Sequence, residues 1–278
     1  ITVNFVIQLL IDLLSAGFID KIGYRASAVL SHVFAAVGII LLTVLPEVFA
    51  SPFVGLLIAV IIYAVGGGLL EVLVSPIMEA CPTENKEKAM SLLHSFYCWG
   101  HMAVVLLSTL FFTAFGISNW RILAIFWALI PIVNAIFFTQ VPIYSLQEEG
   151  EKGLTLKELC RNKVFWLMMI MMVCSGACEQ AVSQWASTFA GPLAFAALMG
   201  TSRLLYGKFG DKLNLNKCMF FSACLCVISY LCIALIPVPA IGLIACALCG
   251  FSVGVLWPGT FSKSSAAIKR GGTVMFAM

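Results

Sequence analysis

Residues 16–25 read Ala-Gly-Phe-Ile-Asp-Lys-Ile-Gly-Tyr-Arg, and residues 207–214 read Gly-Lys-Phe-Gly-Asp-Lys-Leu-Asn. Each stretch follows an apolar segment and places a small residue four positions before an Asp-Lys pair, with Gly or Asn soon after it. Small residues let helices approach closely, and Gly or Asn permits the positive φ of a tight turn. One such turn is typical of a solvated loop, whereas two at corresponding places indicate an internal repeat.

The composition around this repeat is that of an all-α membrane protein. Of the 278 residues, 62% are hydrophobic and 10% are charged, roughly the reverse of what a soluble domain needs. Apolar runs of about 20 residues, long enough to cross a hydrocarbon core, recur along the chain. The eleven Cys are scattered through these runs and are interpreted as small core residues rather than metal ligands or disulfides.

Nine apolar helices and the start of a tenth are predicted. Their bounds are 1–19, 26–45, 53–80, 91–115, 120–141, 164–190, 193–206, 218–236 and 240–261, and the tenth opens at Gly271. Pro46 is among the turn signals that separate them. Because the chain starts and stops inside apolar segments, we expect it to be truncated at both ends. The tight turn at residues 190–192 predicts an omitted outer loop.

One connection, residues 142–163, is long and charged, and it divides the chain. The predicted organisation is an N-terminal transmembrane half, 1–141, a linker, 142–163, and a C-terminal transmembrane half, 164–278. Fourteen of the sixteen Lys and Arg lie in alternate connections that include the linker. Under the positive-inside rule these connections are cytoplasmic, and the protein is expected to be a multi-pass protein of the cell membrane.

The two turns resemble the signature of the major facilitator superfamily, Gly-x-x-x-Asp-(Arg/Lys)-x-Gly-x-(Arg/Lys). Ala16 replaces the first Gly, and Asn214 replaces the second Gly in the later copy. The matching positions of the first copy are Asp20, Lys21, Gly23 and Arg25. The resemblance implies a fold of two six-helix pseudo-symmetric halves, of which this chain holds helices 2 to 10 and the start of 11. It also implies that both turns lie on the cytoplasmic side.

The same resemblance implies that residues at the two turns control the conformational change. These gating residues are Asp20, Lys21, Gly23, Arg25, Asp211, Lys212 and Arg203. Asp12 and Arg203 each lie eight residues before the Asp of their turn, so they are expected at equivalent depths. We expect separate roles for them rather than one ion pair, with Arg203 reaching toward the cytoplasmic surface or the fifth helix.

A narrower resemblance lies in residues 66–76, which read Gly-Gly-Gly-Leu-Leu-Glu-Val-Leu-Val-Ser-Pro. This stretch is similar to the Glu-x-x-x-Asn-Pro segment of proton-coupled fucose permeases, with Ser75 in place of the Asn. Ionisable residues at membrane depth cost at least ~2.5 kcal/mol on insertion scales, so each is a functional candidate. Glu71 is the predicted proton carrier, and the alternative is a structural carboxyl.

Polar residues also mark the first helix of the C-terminal half. Glu179, Gln180, Gln184 and Trp185 combine an acceptor, amides and a flat ring, which is the mixture that sugar sites use. With His94 on the fifth helix they form the predicted substrate-binding set. The alternative is a polar stripe that holds helices together. Both Glu71 and Glu179 are expected to face a central cavity.

A metal site formed by His94, Cys98 and His101 is rejected, because the two His lie about 10.5 Å apart along a helix. No cofactor or nucleic acid is expected, since nucleotide-binding and hydrolase motifs are absent. The sequence therefore predicts a monomeric proton symporter that carries a small polar solute across the lipid bilayer by alternating access. Two alternatives remain open: a drug or metabolite exporter of the same fold, and a non-transporting sensor or intramembrane enzyme.

Overall fold

The computed structural model describes residues 2–15, 17–144, 146, 154–189 and 192–277 of the chain. Every regular element in these ranges is helical, and seven helical segments are long and apolar enough to cross a membrane. The all-α membrane prediction is therefore confirmed. The expected outer loop falls on Ala190 and Gly191, which lie outside the described residues.

The α-helices agree closely with the predicted apolar segments. In chain order they are α1 (Thr2–Ser15), α2 (Ile19–Ile22), α3 (Tyr24–Val48), α4 (Pro52–Ala80), α5 (Lys86–Phe115), α6 (Trp120–Gln140), α7 (Leu156–Arg161), α8 (Lys163–Phe189), α9 (Pro192–Phe209), α10 (Leu215–Leu235), α11 (Pro239–Val253), α12 (Leu256–Ala267) and α13 (Gly272–Ala277). Pro46, expected at a turn, lies inside α3. Membrane helices tolerate such a proline because neighbouring groups satisfy the backbone that it frees.

The helices group into two compact units. Unit 1 comprises residues 1–81, 108–156 and 270–278, and unit 2 comprises residues 82–107 and 157–269. These units follow contacts within the fold, so α5 contributes its first part to unit 2 and its last part to unit 1. The division into two sequence halves at residues 142–163 remains a prediction.

Unit 1 is built around the packing of α3 on α4. Two glycines set the distance between these helices: a Cβ on Gly38 would lie 2.6 Å from Tyr63 Cβ, and one on Gly66 would lie 2.5 Å from the Ser31 carbonyl oxygen. Any side chain at either position would force the helices apart. The small residues thus produce the close approach that membrane helices use in place of a hydrophobic driving force.

The core of unit 2 lies around α9 and α11. Phe195, Met199, Cys249 and Val253 are all buried there, and a Cβ on Gly250 would lie only 2.4 Å from the Phe195 carbonyl oxygen. The cysteines of this cluster act as small apolar residues, in agreement with their interpretation from the sequence.

The helix predicted at 240–261 corresponds to one helical span, Pro239–Ala267, with a local irregularity in its middle. α11 ends at Val253 and α12 begins at Leu256, although Gly254 and Val255 keep right-handed helical dihedrals. Pro258 follows this irregularity by three residues and has no N–H to donate to the carbonyl of Gly254 one turn earlier. The prediction of a membrane helix here is confirmed, although apolar periodicity did not indicate the irregularity at Gly254 and Val255.

Candidate functional site

In unit 1, polar groups gather where α1 crosses α4. The glycines at 66–68 face two neighbours: Gly66 faces α3, whereas Gly67 and Gly68 face α1. A Cβ on Gly67 would lie 2.8 Å from Gln8 Nε2, and one on Gly68 would lie 3.0 Å from Ile11 Cβ. The absence of side chains here brings α1 against α4 just before Glu71.

A polar stripe runs along α1 at four-residue spacing and consists of Asn4, Gln8 and Asp12. Asn4 Nδ2 donates a hydrogen bond of 3.1 Å to Gln8 Oε1. Asp12 directly follows Ile11, which packs against Gly68 of α4, and its Oδ1 atom is buried without a hydrogen-bond partner among the described residues. Glu71 itself is exposed. Unit 1 therefore places Asp12 and Glu71 on two helices that cross closely, and the sequence analysis had proposed only Glu71 as a proton carrier.

In unit 2, the buried polar centre is Arg203 of α9, with a side chain that is 2% exposed. Its Nη2 donates to Oε2 of Glu179 on α8 over 2.7 Å, and Glu179 is 8% exposed. Each charge neutralises the other in a place where an unpaired ion would be very costly. The carboxylate that pairs with Arg203 is thus Glu179 rather than Asp12.

The other guanidinium nitrogens of Arg203 bind two further helices. Nε donates to the Gly254 carbonyl oxygen at the α11–α12 junction over 2.9 Å. Nη1 donates to the His94 carbonyl oxygen over 3.1 Å and to Cys98 Sγ over 3.2 Å, both on α5. Of the two destinations expected for Arg203, the fifth helix is therefore the one that it reaches. Arg203 joins α5, α8, α9 and the α11–α12 junction.

A row of rings crosses unit 2 beside this ion pair. The His94 ring stacks on Phe261 of α12, with centroids 5.8 Å apart and planes at 9°. Phe261 meets Trp257 edge to face at 5.7 Å, and Trp257 Cζ3 lies 2.7 Å from the position of a Cβ on Gly176 of α8. The sequence analysis missed Trp257 and Phe261, although two aromatic residues one turn apart around a proline are a visible signal.

The predicted amides lie on the same side of α8 as the glycine that Trp257 covers. Gln180 and Gln184 follow Gly176 by four and eight residues, which places all three on one helix face. Both amides are exposed, and Gln184 Nε2 approaches Gln180 Oε1 at 3.5 Å. The side chain of Trp185 lies outside the described residues. The candidate site in unit 2 therefore combines an aromatic row with accessible amides.

Among the described residues, no group of three His, Cys, Asp or Glu side chains is arranged to hold a metal ion. Cys98, which lies between the two His of the rejected metal site, accepts a hydrogen bond from Arg203 through its sulfur.

The first charged turn is anchored to the end of α6. Gly23 has a φ of 89°, which explains a glycine at this point of the signature. Arg25 Nη1 donates to the carbonyl oxygens of Phe138 and Thr139 over 3.1 and 2.7 Å, so it satisfies carbonyls in the last turn of α6. Lys21 is exposed, and the side chain of Asp20 lies outside the described residues.

The second charged turn is anchored to the start of α5. Asp211 Oδ1 accepts a 2.8 Å hydrogen bond from Asn85 Nδ2, and Oδ2 forms an ion pair with Lys88 Nζ. Lys212 is exposed. Sequence reasoning did not identify Lys88 and Asn85, which lie more than 120 residues away along the chain.

Hydrogen bonds from Lys88 and, next, Asn85 hold the pKa of Asp211 below its ordinary value of 3.8. A lowered pKa means that the contact is complete above that ordinary value and is lost as the pH falls through the folded value. We expect Lys88→Gln to raise the pKa of Asp211 toward 3.8, as measured by NMR titration of the ¹³C-labelled carboxyl. Lys217→Gln is the control and should leave it unchanged; an equal shift in both variants would contradict the assignment.

Comparisons with known proteins agree with this architecture. The family model described as Major Facilitator Superfamily matches residues 1–278. No curated protein matches significantly. The E. coli fucose:proton symporter is a similar solved structure, with a TM-score of 0.81 and 16% identity over 99% of this chain and 78% of that one.

Two further solved structures share the fold. A proton:xylose symporter bound to 6-bromo-6-deoxy-D-glucose has a TM-score of 0.75 and 13% identity over 99% of this chain and 74% of that one. The human organic anion transporter TETRAN has a TM-score of 0.72 and 14% identity over 99% of this chain and 71% of that one. At such identities the likeness concerns the fold.

Proposed function

The chain belongs to the major facilitator superfamily, and from that membership we propose that it is a proton-coupled symporter of a sugar or related small polar solute. As a member of this family it is a multi-pass membrane transporter and not an enzyme. The observation that carries the proposed coupling is the placement of Asp12 and Glu71 on the two helices of the α1–α4 crossing, where Gly67 and Gly68 pack against Gln8 and Ile11.

Two carboxylates at membrane depth repel strongly, because the surrounding dielectric is low. A proton bound between them removes one charge and lets the protonated carboxyl donate a hydrogen bond. Asp12 Oδ1, buried without a partner among the described residues, is a ready acceptor for that donor. Glu71 is exposed and can exchange the proton with water. We therefore assign proton carriage to Glu71, with Asp12 as its neighbour.

The solute site that we propose lies beside the aromatic row of unit 2. Amides bond to hydroxyl groups, and a ring face packs on the C–H face of a sugar. We assign these roles to Gln180, Gln184, Trp185 and His94 from the sequence, with Trp257 added from the fold. Glu179, first expected to accept substrate hydroxyls, is engaged by Arg203, and we now assign it to holding that arginine.

Trp257→Ala is expected to weaken sugar binding about twofold to twelvefold, because stacking on an aromatic ring contributes roughly 0.5–1.5 kcal/mol. Trp257→Phe should keep most of the affinity, since it retains a flat face. The measurement is the half-saturation concentration of sugar uptake into proteoliposomes. Trp166→Ala, an exposed tryptophan at the start of α8, is the control, and an equal effect there would argue against stacking.

The exporter alternative differs in the charge that its site should offer. A site for organic anions requires an accessible positive charge, whereas Arg203 is buried and neutralised by Glu179. Among the described parts of unit 2, the groups proposed to meet the solute are neutral amides and rings. That chemistry favours a neutral polar solute. The sensor alternative differs by having no net transport.

We propose that the linker and the basic turns are cytoplasmic, that the membrane is the cell membrane, and that the protein acts as a monomer. Fourteen of sixteen basic residues in alternate connections support this orientation. In alternating access, the Asp211–Lys88 contact and the anchoring of Arg25 are proposed to form in one state and release in another.

The decisive experiment is uptake of radiolabelled fucose and xylose by the purified protein in liposomes with an imposed pH gradient. We expect accumulation when the outside is more acidic, and its collapse when a protonophore is added. Accumulation driven by a sodium gradient alone would show that the coupling ion is sodium rather than the proton. Export of organic anions without sugar uptake would support the exporter, and no transport of either class would support the sensor.

A further inference from the structure

The α11–α12 junction leaves one backbone carbonyl without its helical donor. In an uninterrupted helix the N–H of residue 258 would bond to the carbonyl oxygen of Gly254, but Pro258 has no N–H. Pro258 is fully buried and Gly254 is buried, so water is a poor substitute. A buried carbonyl needs some partner, because leaving it unpaired is costly.

Arg203 is that partner. Its Nε lies 2.9 Å from the Gly254 carbonyl oxygen. The approach depends on the glycine, since a Cβ on Gly254 would lie 2.8 Å from Ser202 Cβ and 2.9 Å from the Met199 carbonyl oxygen. Gly254 lets α9 approach closely, and Pro258 leaves the carbonyl oxygen of Gly254 without its helical donor. Arg203 donates a hydrogen bond to that oxygen instead.

The same junction carries the aromatic row. Trp257 directly precedes Pro258, and Phe261 follows one turn later. A proline that removes a helical hydrogen bond allows the axis to bend, so the angle of α12 at this point decides how Trp257 meets Gly176 and how Phe261 meets His94. The group that donates a hydrogen bond to the Gly254 carbonyl therefore also constrains the angle of α12.

We propose that Arg203 is a positioning residue that acts through the Gly254 carbonyl, holding α12 at the angle that presents Trp257 and Phe261 to the solute. Glu179 fixes the guanidinium from α8 and so contributes to the same arrangement. The role toward solute rests on the proposed function, whereas the clamp on Gly254 can be tested without any solute.

The test is a thermodynamic cycle between positions 203 and 258 in the purified full chain. The background is the double variant Glu179→Gln/Arg203→Gln, which removes the arginine without leaving an unpaired buried charge. In this background Pro258→Ala restores a backbone donor to Gly254, and we expect Tm to rise by at least about 2 °C. In the parent protein Arg203 already donates to the Gly254 carbonyl oxygen. Pro258→Ala therefore supplies no hydrogen bond that was lacking, and we expect Tm to stay level or fall.

Pro76→Ala is the matched control, because Pro76 is also a fully buried proline inside a helix but belongs to unit 1. Its effect on Tm should be the same in both backgrounds, since distant sites contribute additively. Should the double variant yield no folded protein, the cycle is repeated on Arg203→Lys, which keeps a cation for Glu179 without the guanidinium fork. Equal effects of Pro258→Ala with and without Arg203 would overturn the proposal.

A spectroscopic readout separates positioning from general stability. The chain has six Trp, so labelling with 5-fluorotryptophan gives a small set of ¹⁹F signals, and the one lost in Trp257→Phe belongs to Trp257. We expect Arg203→Lys and Pro258→Ala each to shift that signal while the signal of Trp120, assigned through Trp120→Phe, stays in place. An unmoved Trp257 signal would contradict the positioning role. Both readouts need no transport, so a failure of the sugar proposal is seen separately in uptake.

Discussion

Glu71→Gln is expected to abolish accumulation of sugar driven by a pH gradient while leaving sugar exchange between the two sides close to the parent rate. Glutamine keeps the size and hydrogen-bonding ability of the side chain but cannot release a proton. Loading and unloading of the solute can still occur, because the proposed sugar contacts lie on α5, α8 and α12. The pH gradient can therefore no longer drive accumulation of sugar by this protein.

The measurement compares two assays on the same proteoliposomes: net uptake against a concentration gradient, and counterflow of labelled against unlabelled sugar. Glu84→Gln, an exposed acid between α4 and α5, should behave as the parent in both. If Glu71→Gln accumulates sugar as well as the parent, the proton-carrier role belongs elsewhere. Asp12→Asn is then the next variant to examine.

Arg203→Met is expected to prevent recovery of folded protein. It leaves the buried carboxylate of Glu179 without its counter-ion, and breaking a buried pair by removing one partner typically costs about 3–5 kcal/mol. It also removes donors from the carbonyls of Gly254 and His94. Together these losses are a large fraction of the stability of a typical domain.

Size-exclusion profiles in detergent and thermal unfolding measure this loss, and adding Glu179→Gln to Arg203→Met should restore part of it by removing the orphaned charge. Arg121→Met is the control. Arg121 pairs with Glu47, but both side chains are largely exposed, and exposed pairs contribute only about 0–1 kcal/mol. Similar losses of stability in Arg203→Met and Arg121→Met would show that burial does not make the Arg203–Glu179 pair more stabilising than an exposed pair.

The helices themselves could be predicted from the sequence because each is encoded locally, by a run of apolar residues with turn residues at its ends. Apolar periodicity did not show where a helix holds a carbonyl oxygen without its usual N–H donor. Pro258 lies in an apolar stretch that predicts a continuous helix, and its missing N–H leaves the Gly254 carbonyl as an acceptor for Arg203.

The candidate site could be predicted only one side chain at a time. Glu71, Glu179 and Arg203 stand out as ionisable residues in apolar helices. Their partners depend on which helix faces cross, and single-sequence periodicity does not give that. Gly67 and Gly68 bring α1 to α4 and so place Asp12 and Glu71 on closely crossing helices.

Proton movement on addition of sugar tests the central claim most directly. Fucose or xylose is added to proteoliposomes without any imposed gradient, and the external pH is followed with a dye or electrode under weak buffering. The proposal predicts a sugar-dependent rise in external pH that a protonophore removes and that Glu71→Gln lacks. Uptake of labelled sugar with no change in external pH would contradict proton coupling.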